Sequence, residues 1–220
     1  MSEAAASGTR IGEGLGTAIM AGLRRVHDPV RVGELPRFVA FKRISLDKVR
    51  SEIGIVGDFA QFGVWKGQCA RWILEFLPSD AKLHLFDSFE GLPEDWVGQF
   101  SKGHFALDEK HIPRFDDSRV RMIKGWFSET LPGYFDSDRP LSFIHMDADL
   151  YSSTMDVLCN TNHVIVPGTV ILFDEYVLSN QGQTADDEHR ALMDYCSEYG
   201  RQFVYLWRTR HSQVAIRITV

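Results

Sequence analysis

The sequence predicts an α/β fold built on a seven-stranded, mostly parallel sheet with helices on both faces. Two observations indicate this fold. Short apolar strands alternate with helical segments along most of the chain, and a short polar turn joins the last two strands. Strands separated by a helix can run parallel, whereas strands joined by a tight turn run antiparallel. We therefore expect the final strand to run against its neighbour.

The helices and strands follow from apolar spacing and from turn residues. The first helix begins at residue 35 and ends before Gly54, because its apolar residues recur at helical spacing. Pro78 ends a second helix over 68–77, and further helices are predicted over 152–162 and 186–199. The strands are predicted over 55–62, 82–87, 119–123, 142–147, 169–174, 203–207 and 213–218.

The chain is expected to consist of two regions. Residues 1–34 are rich in Gly and Ala, and they are interpreted either as a flexible arm that closes over a ligand or as an ordinary tail. Residues 35–220 are expected to form a single domain, since a chain of 220 residues suits one domain.

Composition excludes several classes of protein. Lys and Arg number 24 against 30 Asp and Glu, so the net charge of -6 argues against nucleic acid as the main partner. No apolar run is long enough to span a membrane, and no membrane partner is expected. The three cysteines form no C-x-x-C pair, which excludes a disulfide framework and a zinc site built from cysteines. This usage predicts a cytoplasmic protein.

Ligands of open parallel sheets bind at the carboxyl ends of the strands, where this chain carries polar residues and glycines. Gly63 and Gly67 follow the first strand in a G-x-x-x-G turn, which lets backbone approach a ligand, although glycine there can also serve packing alone. Asp87 ends the second strand, with Ser88 beside it. Its carboxylate suits the two hydroxyls of a ribose or the capping of the next turn.

Four carboxylates follow two strands that should be neighbours in the sheet. Asp147 and Asp149 end the fourth strand, and Asp174 and Glu175 end the fifth. Clustered carboxylates repel one another, and a hard divalent cation relieves that repulsion. The sequence therefore predicts a cation site here; the alternative is two unrelated, solvated strand ends.

Aromatic and histidine residues give weaker signals. Trp126 follows the third strand and Gly125, where an adenine-sized ring fits in this architecture. The other tryptophans are interpreted as packing residues. His84 and His145 lie inside predicted strands, and they are interpreted as core residues that form hydrogen bonds.

Five segments resemble the macrocin O-methyltransferase family of S-adenosylmethionine- and metal-dependent sugar O-methyltransferases. They are GDFAQFGVWKG (57–67), DSFEGLP (87–93), KGWFSETLP (124–132), MDADLYSSTM (146–155) and DEY (174–176). Their order and spacing cover roughly residues 55–180. The second and fourth segments are specific, whereas the glycine turn is not.

The resemblance implies a Rossmann-like class I methyltransferase fold. It also implies Mg²⁺-dependent transfer of a methyl group from S-adenosylmethionine to a hydroxyl of a sugar or glycosylated natural product. A homo-oligomer, specifically a dimer, is implied as well. The cofactor-binding residues it implies are Gln61, Gly63, Gly67, Asp87, Ser88, Gly125, Trp126 and Asp147. The metal ligands it implies are Asp147, Asp174 and Glu175, and the catalytic residues are Asp147 and the base Asp149.

The chain also departs from the family pattern, and two alternatives stay open. Gln61, Ala148 and Glu175 stand where the family usually has Glu, Gly and Asp. The first alternative is methyl transfer to a catechol-like diol, whose two oxygens would chelate the same cation. The second is an S-adenosylmethionine-binding protein with impaired catalysis. The sequence disfavours a nicotinamide oxidoreductase, because G-x-G-x-x-G is missing.

Overall fold

The structure of the protein, a computed structural model, describes residues 37–220 except 136–137, 181 and 210–211. Side chains are described from residue 42 onward. The predicted N-terminal arm, residues 1–34, lies outside the described residues, as does the closure over a ligand expected of it.

Five helices and nine strands make up the described part of the chain. The helices are α1 (Arg37–Arg50), α2 (Gln68–Leu74), α3 (Phe127–Thr130), α4 (Tyr151–Thr161) and α5 (Asp187–Tyr199), with a 3-10 turn at Glu109–His111. The strands are β1 (Asp58–Phe62), β2 (Leu83–Asp87), β3 (Val120–Lys124), β4 (Leu141–Met146), β5 (Val170–Phe173), β6 (Leu178–Asn180), β7 (Gln183–Ala185), β8 (Phe203–Arg208) and β9 (Val214–Ile218). Within the described ranges, every helix is too short or too polar to cross a membrane.

Seven of these strands form the main sheet, in the order β3-β2-β1-β4-β5-β9-β8. β1 to β5 pair in parallel, and β9 runs antiparallel to both β5 and β8. The predicted seven-stranded, mostly parallel sheet with an antiparallel final strand is therefore confirmed. The sequence did not indicate that β9 inserts between β5 and β8.

Alternate residues of the central strands face opposite sides of the sheet, as the two-residue period of a strand requires. Phe62, Ile144 and Phe173 pack with α4 and α5 on one face. Phe59 and Phe143 belong to the opposite face, which α1 and α2 cover. The prediction of helices on both faces is therefore confirmed. Burial of each of these large side chains contributes roughly 1.5–3 kcal/mol.

The structure also contains elements that the sequence did not predict. β6 and β7 form a separate two-stranded hairpin, and each has three residues, too few to show alternation. α3 is a single turn. β1 begins at Asp58 rather than at residue 55, and Gly57 just before it lies close to the backbone of Pro140 and Ser142. A Cβ added there would stand 2.4 Å from the Pro140 carbonyl oxygen.

Asp58 joins several elements at the amino end of the sheet, opposite the strand ends that carry the predicted site. Its carboxylate accepts hydrogen bonds from the Lys82 N–H (2.9 Å) and from Nε of Arg139 (2.6 Å), and it lies 3.2 Å from Nε2 of His84. Nδ1 of His84 contacts the Tyr134 hydroxyl at 3.0 Å, so the interpretation of His84 as a hydrogen-bonded core residue is confirmed. Burial alone would raise the pKa of Asp58, but these partners together lower it.

Replacement of Asp58 by Asn should lower the free energy of unfolding by about 1–3 kcal/mol near neutral pH, because buried donors lose a charged acceptor. The folded pKa of Asp58 lies below the unfolded value of about 3.9. Its contribution is therefore present above that pH and is lost as the pH falls through the folded pKa. Urea unfolding at pH 7 and at pH 3 measures both effects.

Asp80→Asn is the matched control. The exposed carboxylate of Asp80 contacts the same arginine, Arg139, at 3.2 Å. Its replacement should change stability by about 0.5 kcal/mol or less. Equal losses in the two variants would contradict a special role for Asp58.

Candidate functional site

A cavity of about 820 Å³ opens at the carboxyl ends of the parallel strands. All of the sequence-predicted site residues line it except Gly67 and Asp174. The volume lies in the range of known ligand pockets, about 300–1,000 Å³. The structure thus brings together residues from five strand ends at one rim.

Gly63 forms part of the cavity floor, where β1 and β4 end side by side. Its φ is +86°, and a Cβ would stand 1.9 Å from the Asp147 carbonyl oxygen. Gly67 also has a positive φ, +75°, but it packs against Pro113 and Phe115 outside the cavity. The first glycine therefore allows close approach of two strand ends, and the second serves packing.

Asp87 ties the glycine turn to the loop that follows β2. One carboxylate oxygen accepts hydrogen bonds from the N–H groups of Val64 and Trp65, both at 2.7 Å. The other oxygen accepts a hydrogen bond from the Phe89 N–H at 2.7 Å. Asp87 therefore caps the turn that follows β2, as one of its two interpretations from the sequence expected. An ionised carboxylate has about four acceptor positions. Capacity for one further donor, such as a ribose hydroxyl, therefore remains.

The other predicted cofactor-binding residues surround this turn. Nε2 of Gln61 donates to the Gly63 carbonyl at 2.8 Å. Its Oε1 is buried and has no hydrogen-bond partner among the described residues, so it remains available to a ligand donor. Ser88 Oγ accepts from the Glu90 N–H at 3.1 Å. Gly125 and Trp126 line the cavity on the β3 side.

Asp147, Asp149 and Glu175 form one acidic group. Each offers a carboxylate oxygen, and these oxygens all lie within 4.8 Å of one another. Oε2 of Glu175 is buried and has no hydrogen-bond partner among the residues described. Three oxygen donors with one orphaned atom fit a hard divalent cation. The side chains present are therefore compatible with the predicted Mg²⁺.

The backbone at Asp149 is strained. Its φ is +61°, and the Leu150 N–H donates to the Ala148 carbonyl at 2.6 Å across it, which closes a three-residue turn. Such conformations cost roughly 1–3 kcal/mol and cluster at functional sites. The turn places Asp149 on the cavity wall beside Asp147.

Asp174 lies beneath this group and is almost fully buried. Its carboxylate contacts the ammonium of Lys42, accepts a hydrogen bond from Gln213 and lies 3.5 Å from Nε2 of His145. Nζ of Lys42 also donates to Asp147 at 3.4 Å. Lys42 thus links Asp174 to the acidic group.

Burial and charge divide the four carboxyl groups into two kinds. Burial raises the pKa values of Asp147, Asp149 and Glu175, and repulsion from neighbouring carboxylates adds to the shift. Burial would also raise the pKa of Asp174, but Lys42 and then His145 outweigh it and hold that pKa well below its usual value. The Lys42 ammonium therefore favours the ionised form of Asp174, and a cation bound among the other three would favour their ionised forms.

Two charged residues of the site were missed by sequence reasoning. Lys42 is one. The other is Glu188, which is fully buried in the first turn of α5 and accepts the Glu175 N–H at 3.1 Å. Each stands in the apolar register of its helix. The residues that share a face are Lys42, Leu46 and Val49 on α1, and Glu188, Ala191, Leu192 and Tyr195 on α5. A charged residue at an apolar position of a helix was therefore the signal in the sequence that could have revealed both residues.

Aromatic side chains form the outer wall of the cavity. Trp96 stacks on Phe100 with a centroid distance of 5.6 Å, and Trp65 meets Phe105 edge to face at 6.0 Å. Nε1 of Trp96 donates to Asp187 at 3.1 Å, which fixes this wall to α5. The outer cavity therefore offers flat apolar surface to a ligand.

Known proteins with similar sequences are O-methyltransferases. Residues 37–198 match the family described as Macrocin-O-methyltransferase (TylF). Demethyldecarbamoylnovobiocin O-methyltransferase of Streptomyces niveus is 30% identical over 180 residues, which cover 71% of this chain and 68% of that one. A 4'-O-methyltransferase of Streptomyces olivaceus, which acts on 8-demethyl-8-(2,3-dimethoxy-alpha-L-rhamnosyl)-tetracenomycin-C, is 31% identical, with 67% of this chain and 60% of that one covered.

Solved structures share the fold. Calicheamicin methyltransferase gives a TM-score of 0.69 at 18% identity and covers 99% of each chain. The O-methyltransferase NovP gives 0.64 at 24% identity, with 82% of this chain and 81% of that one covered. An O-methyltransferase from Bacillus cereus in complex with SAH gives 0.53 at 14% identity, with 99% and 92% covered. These similarities confirm the predicted Rossmann-like fold.

Replacement of Lys42 by Met should lower the free energy of unfolding by about 3–5 kcal/mol, because it leaves the buried Asp174 without its cation. Mg²⁺ should restore part of this loss, since a divalent ion supplies the missing charge. Thermal unfolding with and without Mg²⁺ measures both effects.

Arg43→Met is the control for Lys42→Met. Arg43 pairs with the exposed Glu75, and its loss should cost about 1 kcal/mol or less. Equal losses would contradict the role of Lys42.

Gly63→Ala and Gly103→Ala separate crowding from backbone strain. Both glycines have a positive φ, +86° and +79°, but only Gly63 is crowded by other atoms. Both substitutions should incur about 1–2 kcal/mol of left-handed strain. Gly63→Ala should add about 1–3 kcal/mol of overpacking and should also displace Asp147. Urea unfolding and Mg²⁺ titration of the two variants test this, and equal effects would contradict it.

Proposed function

The chain belongs to the macrocin O-methyltransferase family, and from this premise we propose that it methylates a hydroxyl of a sugar or glycosylated natural product. Family membership makes the chain an O-methyltransferase. We further propose S-adenosylmethionine as the donor and Mg²⁺, or another hard divalent cation, as the activator. The observation that carries the proposal is the shared rim, where the acidic group, the glycine turn and Asp87 line one cavity.

The glycine turn and its surroundings support a methyl-donor site. Asp87 retains one acceptor position for a ribose hydroxyl, and the unpartnered Oε1 of Gln61 suits an ammonium group. Gly125 and Trp126 form the wall on which an adenine would lie. S-adenosylmethionine, when bound, supplies a methyl group that is already activated. The chain itself then has to align the acceptor oxygen with that methyl group.

The acidic group supports metal-assisted activation of the acceptor. Asp147 and Glu175 would hold the cation, and Asp149 would take the proton from the acceptor hydroxyl. The cation, when bound, lowers the pKa of that hydroxyl and fixes its direction. Asp174 can serve as a third ligand only if the Lys42 ammonium leaves it; otherwise it positions Lys42.

The proposed acceptor class rests on the relatives and on the cavity wall. One relative is named for a rhamnosyl-bearing substrate. The stacked rings of Trp96 and Phe100 offer a surface to the apolar face of a sugar or to an attached ring system. The same wall favours the second candidate, a catechol-like diol, because a planar aromatic ring stacks equally well there.

A product assay tests this function. The purified full-length protein, S-adenosylmethionine and Mg²⁺ are incubated with glycosylated natural products, their aglycones and simple catechols, and mass spectrometry detects methylated products. Methylation of glycosides but not aglycones supports the proposal, and methylation of catechols alone supports the second candidate. Excess EDTA should stop the reaction, and added Mg²⁺ should restore it. Full activity in EDTA would exclude the metal role.

Replacement of Asp149 by Asn should slow turnover by roughly 10²–10⁴-fold, the usual contribution of a general base. S-adenosylmethionine affinity should stay nearly unchanged, because Asp149 acts on the acceptor. Steady-state kinetics and calorimetric titration measure the two effects. The control Asp108→Asn removes a carboxylate exposed on the surface and should keep wild-type kinetics. Near-normal turnover of Asp149→Asn would rule out its role as the base.

A further inference from the structure

A second group of possible ligand atoms lies beside the acidic group. Sγ of Cys69, a ring nitrogen of His145 and a carboxylate oxygen of Asp147 all lie within 4.8 Å of one another. Cys69 comes from the first turn of α2. His145 lies in β4, and Asp147, two residues after it, directly follows that strand, so both are on the same face. Sulfur, nitrogen and oxygen donors therefore converge.

His145 gives an independent reason to expect a ligand here. It is fully buried, and neither ring nitrogen has a hydrogen-bond partner among the described residues. Nε2 lies 3.5 Å from Oδ1 of Asp174 in an ion-pair contact, and Nδ1 has no hydrogen-bond partner among the described residues. His84, by contrast, has a partner at each nitrogen. His145 is the core residue that the sequence predicted, but neither ring nitrogen makes a hydrogen bond of good geometry within the described part of the chain, which is costly for a fully buried imidazole.

We propose that Cys69, His145 and Asp147 form a second cation site, selective for a borderline ion such as Zn²⁺ or Co²⁺. Imidazole and thiolate suit these ions, whereas the all-oxygen group of Asp147, Asp149 and Glu175 suits Mg²⁺. Ligand atoms of a tetrahedral zinc lie about 3.5 Å apart, given bond lengths of about 2.0–2.3 Å. Side-chain shifts of about 1 Å would therefore close the group around an ion. Coordination removes the thiol proton of Cys69, which passes to solvent.

The two cation groups share Asp147, and this sharing has a functional consequence. An ion held by Cys69 and His145 withdraws the Asp147 carboxylate from the group that binds Mg²⁺. Zn²⁺ therefore inhibits methyl transfer at a site that involves neither Asp149 nor Glu175. This consequence, unlike the site itself, rests on the proposed function. The cysteine spacing could not reveal the site, because a single cysteine contributes to it.

Cobalt absorption tests the site without any activity measurement. Co²⁺ bound to a thiolate absorbs in the near ultraviolet, so titration of the metal-free full-length protein should produce that band at one equivalent. Cys69→Ser should abolish the band. Cys159→Ser, which removes another free cysteine, should retain it. His145→Gln should weaken Co²⁺ binding at least about tenfold. Circular dichroism checks that each variant is folded. If Cys69→Ser does not fold, Cys69→Ala replaces it in the same titration.

Zinc inhibition tests the consequence. At fixed Mg²⁺, the Zn²⁺ concentration for half inhibition should rise at least about tenfold in Cys69→Ser, relative to the uninhibited rate of that variant. Absence of the cobalt band in the wild type, or its persistence in Cys69→Ser, would overturn the site even if methyl transfer is observed. A band that depends on Cys69 in a protein without methyl transfer would support the site and contradict the proposed function.

Discussion

The contact of the Lys42 ammonium with Asp174 and Asp147 is the interaction on which the functional end of this fold depends. The carboxyl ends of β4 and β5 bring four acidic side chains together, and one of them, Asp174, is almost fully buried. Unpaired charges in such surroundings are too costly to keep. Lys42 compensates for part of that charge, and in doing so it ties α1 to the strand ends. The remaining acidic group is left poised for a cation.

The positive charge of Lys42 acts unequally on the four carboxyl groups. Lys42 holds the pKa of Asp174 below its usual value, while Asp147, Asp149 and Glu175 have raised pKa values. A divalent cation thus has more to gain at these three than at Asp174. The strained backbone of Asp149 fits the same reasoning, because the surrounding packing holds a conformation that the residue alone would not adopt.

The strand-end residues of the cavity could be predicted from the sequence, because a parallel sheet directs the carboxyl ends of its strands to one rim. Gly63, Asp87, Asp147 and Glu175 were found in this way. Glu188 was missed, since its helix was interpreted from apolar residues alone, although it occupies the same face as they do. The place of β9 was also missed. The short turn between β8 and β9 specifies that these two strands run antiparallel. It does not specify which of them pairs with β5, because that depends on how the whole sheet assembles.

The sequence by itself determined the α/β class, the strand ends that carry chemistry and the family. Each of these rests on local spacing, which a linear chain records directly. The tertiary structure alone decided that Asp174 pairs with Lys42, that Asp87 is largely occupied by backbone N–H groups, and that Cys69 meets His145. These contacts join residues far apart in the chain. Their geometry and their burial, which together set the electrostatics, arise only when the helices pack on the sheet.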